Sequence, residues 1–232
     1  IKTSSDEGFI LMTDFGSEKY LDILNSNVSK NNTQYKDAIN TLHNIQKKGK
    51  AYQEMFLPYS ESLIKKEMSL FIDWFIGHHH GYRLSKSETE SWLDCVHVLT
   101  HNAISQPQVL VHRDYHSRNL MFLDSNNPGI LDFQDAVIGP ITYDLVSLLR
   151  DCYISLNLDV VADFSLYFYK NLDEEDKAGI SHHQFTKFFD LMGIQRHLKA
   201  VGIFTRLNYR DGKSIYLNDI PRTLEYILTV AE

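Results

Sequence analysis

The stretch VLVHRDYHSRNLMFLDSNNPGILDFQD, residues 109–135, interrupts a chain that is otherwise patterned for helices. Before it, apolar residues recur every three or four positions: Tyr35, Ala38, Ile39, Leu42 and Ile45, then Leu63, Ile64, Met68, Phe71, Ile72 and Phe75. That spacing is the period of an amphipathic helix. Inside the stretch it gives way to short β-rich runs, Val109–Val111, Leu120–Leu123 and Ile130–Asp132, the last two separated by the turn residues DSNNPG. After Gly139-Pro140 the helical pattern returns in YDLVSLLRDCY, in VVADFSLYFYKNL, from about His182 to Leu207, and near Ile220–Val230. Strands this short cannot bury a core alone. The spacing therefore predicts an α+β chain, a mostly helical body with a small β-hairpin insert that serves the polar residues crowded into it.

Two further local signals bound the elements. GFILMTDFGS reads as an apolar strand, Phe9 to Met12, running into a turn, and SETESWLDCVHVLTHNAI opens on Ser87 with Glu90 three residues on, a capping box that predicts a helix start there. The 43% hydrophobic content of the 232 residues is enough for one large or two small cores. A net charge of −7 with no Lys/Arg block of five or more argues against long nucleic acid as a partner. No signal peptide opens the sequence and no apolar run reaches the roughly 18 residues of a membrane span, so no membrane association and a cytoplasmic location are expected. Cys95 and Cys152, each in a helical pattern, fit buried reduced thiols. His78, His79 and His80, followed by Gly81, read as a solvated loop.

Within the insert, His112-Arg113-Asp114 and Asn119 match H-R-D-x-x-x-x-N, and Asp132 follows 13 positions after Asn119, beyond the hairpin and at the end of an apolar run. This is the spacing of a kinase catalytic loop and the metal-binding aspartate that follows it. Phosphoryl transfer needs two hard oxygen ligands to hold Mg²⁺ on the phosphates of ATP, and one carboxylate to orient the acceptor hydroxyl and take its proton. Asn119 and Asp132 supply the first pair and Asp114 the carboxylate. Asp and Asn also form turns for purely structural reasons, but turn formation alone does not demand this loop, hairpin and LDF run at these distances.

These residues carry a resemblance. VHRDYHSRNLMF and GILDFQDAVIGPITYDLVSLLRD resemble the aminoglycoside-phosphotransferase and choline-kinase-like superfamily of small-molecule kinases. Together with MGIQRHLKAVGIFTRLNYRDGKSIYLNDIPRTLEYI they are most similar to the bacterial anomeric kinases of cell-wall amino sugars, which act on N-acetylmuramate and N-acetylglucosamine. The resemblance implies a protein-kinase-like fold, ATP and Mg²⁺ as cofactors, a small-molecule sugar as substrate, and a monomer. It carries over Asp114 as catalytic base, Asn119 and Asp132 as metal ligands, and Met121 and Leu131 as apolar neighbours of adenine. The apolar strand ending at Met12 leads into the hinge, whose backbone groups at about Thr13 and Asp14 bond the adenine edge, so Met12, Thr13 and Asp14 are carried over as nucleotide-binding residues. His116 stands where protein kinases often place a Lys beside the transferring phosphate; it either donates a hydrogen bond there or is structural. Gln134 replaces the glycine of the D-F-G triplet, so no mobile activation segment is implied. Asp14-Phe15-Gly16 is also such a triplet, but it precedes the catalytic loop and reads as a turn after the hinge.

The same resemblance divides the chain into residues 1–16, the end of an N-terminal lobe and the hinge, and 17–232, the helical C-terminal lobe with the catalytic loop. A phosphate-covering loop and a strand Lys before the hinge have no counterpart in this sequence, so most of the N-terminal β lobe is expected to be missing from it. Asp144 is expected to anchor the catalytic loop. Arg196, Lys199, Arg206 and Arg210 form a basic stripe read as a solvated face, with the sharper alternative that some neutralise an acidic substrate group. Two other readings stand beside the amino-sugar kinase: an aminoglycoside or choline-type kinase, which wants an acidic pocket for a cationic acceptor, and a non-catalytic pseudokinase scaffold, which does not need both metal ligands.

Overall fold

The computed structural model of the chain describes residues 2–4, 6–26 and 31–231. It opens with an antiparallel pair, β1 (Lys2–Ser4) and β2 (Phe9–Leu11), in register Lys2 with Leu11 and Ser4 with Phe9. Helices follow: α1 (Tyr20–Ser26), α2 (Asn31–Gly49) and α3 (Glu61–Leu70). α3 continues into a π-helical segment, Phe71–His79, before α4 (Lys86–Ile104). The insert provides β3 (Gln108–Val111), β4 (Leu120–Met121), β5 (Gly129–Ile130) and β6 (Val137–Pro140). The chain closes with α5 (Tyr143–Leu149), α6 (Leu158–Asn171), α7 (Glu174–Lys177), the 30-residue α8 (His182–Asp211) and α9 (Ile220–Ala231).

The helices form around α5 and α8. Every residue of α5 is buried, and α8 packs against α3, the π segment, α4, α5, α6 and α9. The crossing of α8 over the end of α3 requires a glycine, because a Cβ on Gly202 would stand 2.5 Å from the carbonyl carbon of Leu70. The core beneath runs through Ile39, Leu42, Ile64, Met68, Leu145 and Leu149, the apolar stripes that the sequence spacing predicts. Among the described residues no helix is long and apolar enough to cross a membrane, and Cys95 and Cys152 are free thiols, the first half-buried and the second buried.

Several local expectations are corrected. The capping box lies two residues earlier: the Ser85 hydroxyl accepts from Glu88 N–H at 3.3 Å and the Glu88 carboxylate accepts from Ser85 N–H at 2.7 Å. Ser85 and Glu88 have the same spacing as Ser87 and Glu90, and Tyr82 fixes the choice by donating its hydroxyl to Glu88 at 2.9 Å. His78 and His79 are not in a loop but end the π segment, where His79 Nδ1 meets the Tyr209 hydroxyl at 2.9 Å and His78 packs edge-on against the same ring. β4 and β5 are shorter than their apolar runs, and they pair as the expected hairpin, Leu120 with Ile130 and Met121 with Gly129. β6 was not foreseen; it pairs with β3 from Gln108–Pro140 to Val111–Val137.

Candidate active site

β3 delivers the chain to His112 and Arg113, and there the backbone turns sharply. Arg113 has φ +74°, the left-handed region that a residue with a side chain rarely adopts. Two carboxylates hold it. Asp144, fully buried in the first turn of α5, accepts the N–H of His112 at 2.6 Å and that of Arg113 at 3.0 Å, which is the anchoring role read from the sequence. Burial pushes the Asp144 carboxyl up to about 7, while the two N–H donors pull it down. Glu67 of α3 accepts from the Arg113 guanidinium.

Glu67 is a hub. Besides Arg113 it pairs with Lys199 of α8 at 3.1 Å and accepts the Tyr59 hydroxyl at 2.5 Å. Gln195 donates to that hydroxyl at 2.9 Å, and Lys199 donates to the Tyr143 hydroxyl at 2.9 Å. A buried carboxylate with these three donors has both oxygens engaged. The sequence signal for it was a lone glutamate on the apolar stripe Ile64, Met68 and Phe71.

Asp114 comes next, partly buried, and the loop after it is tied into the hairpin. Asn119 donates its side-chain N–H to the Asp114 carbonyl at 3.1 Å, and its own carbonyl accepts Leu131 N–H at 3.0 Å. The second bond extends the β4–β5 ladder and brings Asp132 alongside Asn119. Asp132 has φ +62°, and among the described residues its carboxylate makes no hydrogen bond or ion pair. The side-chain nitrogen of Asn119 is used and, among the described residues, its side-chain Oδ1 is not, so the loop presents an amide carbonyl and a carboxylate, the hard oxygen donors that Mg²⁺ takes. The donor set fits the ion.

Asp114 and His116 line a hollow of about 160 Å³ together with Arg113, Tyr143, Arg196 and Lys199. Burial lowers the His116 pKa, which favours neutral imidazole; its Nδ1 has no partner among the described residues, and its ring stands edge-on to Tyr153 at 5.4 Å. The basic stripe is therefore only partly a solvated face: Arg196 and Lys199 point inward, because their helix is buried on that side, while Arg206 is half-buried and Arg210 is exposed and pairs with Asp211 at 2.7 Å. Arg118, which sequence reasoning missed, lies 3.6 Å over the Tyr153 ring and 5.4 Å over that of Tyr216.

The segment read as the hinge runs on to the β4–β5 hairpin. Gly16, at φ +72°, donates its N–H to Asp14 Oδ1 at 2.8 Å, so Asp14-Phe15-Gly16 is the turn expected of it. The chain beyond crosses the hairpin: Lys19 bridges Met121, and Phe122 N–H reaches the Glu18 carbonyl at 2.8 Å. The Phe15 ring sits over Gly129, where a Cβ would stand 2.8 Å from it. Thr13 and Asp14 thus face the hairpin turn across a hollow of about 680 Å³ that also includes Asp124, Ser125 and Ile130. Met12 is 57% exposed and Met121 only 5% exposed; Leu131 is partly buried, and none of the three lines that hollow.

Known proteins are similar to this chain. An N-acetylmuramate/N-acetylglucosamine kinase of Pseudomonas putida is 40% identical over 227 residues, which cover 96% of this chain and 64% of the relative. The one of Pseudomonas aeruginosa is 39% identical over 225 residues, 97% of this chain and 65% of the relative. The chain thus spans just under two thirds of the length of these relatives. The ADP-bound crystal structure of aminoglycoside phosphotransferase APH(2'')-Ib shares the fold, with a TM-score of 0.52 at 13% identity over 94% of this chain and 71% of that one. A family model described as the phosphotransferase enzyme family matches residues 4–174, which include the catalytic loop, the hairpin and Asp144. The chain has a protein-kinase-like α+β fold and belongs to the phosphotransferase enzyme family.

Proposed function

We propose that this chain carries the catalytic lobe of an ATP- and Mg²⁺-dependent kinase that phosphorylates a small-molecule hydroxyl, the anomeric hydroxyl of N-acetylmuramate or N-acetylglucosamine. The observation that carries the reading is Asp114 at the mouth of a hollow, one hydrogen bond from Asn119, which the hairpin joins to Asp132. Asp114 orients the acceptor hydroxyl and takes its proton; the oxygen forms its bond to the γ-phosphorus as the bond to the β-phosphate oxygen breaks, and ADP leaves. Asn119 and Asp132 would hold the metal, which supplies charge neutralisation on the phosphates. Residues 1–16 serve as the end of an N-terminal lobe and hinge, with Thr13 and Asp14 toward the adenine edge, Met12, Met121 and Leu131 around it, and His116 as a donor to the phosphate. The enzyme works as a monomer in the cytoplasm, without nucleic acid or membrane.

The competing acceptors are cationic aminoglycosides and choline. The charges around the hollow count against them: Arg113, Arg196 and Lys199 line it, and Asp114 is the one carboxylate among the lining residues. Arg113 and Lys199 are paired with Glu67, but Arg196 adds a positive charge beside Asp114 that disfavours a cationic acceptor. The names of the relatives point the same way. ADP release measured with N-acetylmuramate, N-acetylglucosamine, choline and kanamycin tests the reading. Turnover is expected with the two amino sugars; turnover with choline or kanamycin instead would overturn it.

A further inference from the structure

Arg196 is a buried cation that, among the described residues, has no ion-pair partner. It is 6% exposed in the middle of α8. Its one hydrogen bond among the described residues runs from Nη1 to the Cys152 sulfur at 3.8 Å, and a thiol sulfur is a weak acceptor. No carboxylate lies within ion-pair distance of it among the described residues, whereas the other inward cations have one: Arg113 and Lys199 share Glu67, and Arg150 holds Asp190 at 2.5 Å. Asp151 and Asp114 attract it from farther off. Asp151 is committed elsewhere, accepting Ser117 N–H and Tyr153 N–H, each at 2.9 Å.

An unpaired buried guanidinium is costly, and this one lines the same hollow as Asp114. At about 160 Å³ that hollow is smaller than the cavities that enclose whole ligands, so it takes one end of an acceptor. A planar fork of N–H donors in the wall of a small hollow otherwise lined in good part by apolar side chains, Ala200, Ile203, Phe204 and Leu207, matches a carboxylate. We propose that Arg196 is the subsite for a carboxylate on the acceptor, so that the site selects an acidic amino sugar, one bearing a lactyl ether acid, over its neutral counterpart. The inference rests on the amino-sugar reading above and names the group within that site that discriminates between its two candidate acceptors.

Calorimetry with N-acetylmuramate and N-acetylglucosamine, on the protein and on Arg196→Met, tests it. The protein is expected to bind the acid more tightly, and the ratio of the two dissociation constants is expected to shrink by about 10–100-fold in Arg196→Met, the loss typical of a hydrogen bond to a charged group. Thermal stability of the variant should hold or rise, since an uncompensated buried charge has gone. An unchanged ratio would overturn the proposal. So would an equal weakening of both sugars, which is the mark of a residue serving the phosphoryl group or the loop. The amide of N-acetylmuramate gives a second measurement without substitution: neutralising the acid should cost the unsubstituted protein the same ratio, and no loss refutes the subsite. Binding is measured apart from turnover, so acid-selective binding without ADP release would remove the kinase reading and support this one.

Discussion

Asp144 Oδ2 accepts the backbone N–H of His112 at 2.6 Å, across 32 residues of chain. With Oδ1 on Arg113 N–H, it fixes the strained residue that precedes Asp114. Asp144→Ala leaves two buried donors unsatisfied and is expected to cost about 2–4 kcal/mol of unfolding free energy. Urea unfolding followed by circular dichroism gives the number. A loss under about 1 kcal/mol, less than one orphaned donor costs, would show that the loop holds its turn without Asp144.

How far the sequence reached is clear from these same residues. H-R-D-x-x-x-x-N is a local pattern, and hairpin residues between Asn119 and Asp132 dictate their approach, so the loop and the hairpin that joins these two residues were legible. The stripes of α2 and α3 were legible because burial on one face imposes a period. Glu67 and Arg196 were not, because nothing in a helix's own sequence says which distant cations its inward carboxylate will meet, or that a basic residue faces a hollow and not water. β6 escaped because VIGP has a proline and a glycine, which read as a break, and its pairing with β3 is set by tertiary contact.

Glu67 has to satisfy both Arg113 and Lys199. Glu67→Gln removes the charge but keeps the shape, and it leaves two inward cations on a neutral amide. A destabilisation of about 3–5 kcal/mol is expected, as when one partner of a buried ion pair is removed. Adding Lys199→Met should recover part of it by deleting one orphaned cation. Denaturant titrations of the single and double variants form the comparison, and additive losses would show that the two residues are not coupled.

His197 sets an acid limit on the fold. It is buried against Arg196, with Nε2 at 2.8 Å from the Arg150 carbonyl, and burial lowers its pKa to about 3. In the unfolded chain a histidine takes its proton near pH 6.5. A depressed folded pKa stabilises above 6.5, and that contribution is lost as pH falls from 6.5 toward 3, at roughly 1.4 kcal/mol per pH unit. His112 and His116, also lowered by burial, act in the same direction; Asp144, raised, acts in the opposite one as pH rises toward 7. The difference between the protein and His197→Gln isolates one group. The variant should lose stability less steeply between pH 6.5 and 4.5, by about one proton in the slope. Parallel curves would mean that His197 is charged in the fold.

Asp132→Ala should abolish Mg²⁺-dependent nucleotide binding while leaving the fold intact, because the exposed carboxylate makes no hydrogen bond or ion pair among the described residues and is needed only by the ion. Removal of a left-handed non-glycine strain is not expected, since alanine carries the same Cβ. Calorimetry with ATP in the presence and absence of Mg²⁺ decides it: an unchanged Mg²⁺ dependence in the variant removes Asp132 from the site.

Asp114 carries the proton transfer in the proposed reaction. Asp114→Asn keeps the size, and the backbone carbonyl that accepts from Asn119 is untouched, so the loop should hold. What disappears is the base. General-base assistance is worth on the order of 10²–10⁴-fold, and kcat should fall by that factor. An anomeric hydroxyl is more acidic than an ordinary alcohol, which places the loss toward the lower end. The Michaelis constant for ATP should barely move, because the interaction removed is made mainly in the transition state. Steady-state kinetics with N-acetylglucosamine at saturating Mg²⁺ measure both. Retention of more than about half the original kcat, against the loss expected for a general base, would mean that some other group takes the proton and that Asp114 only shapes the hollow it shares with Arg196.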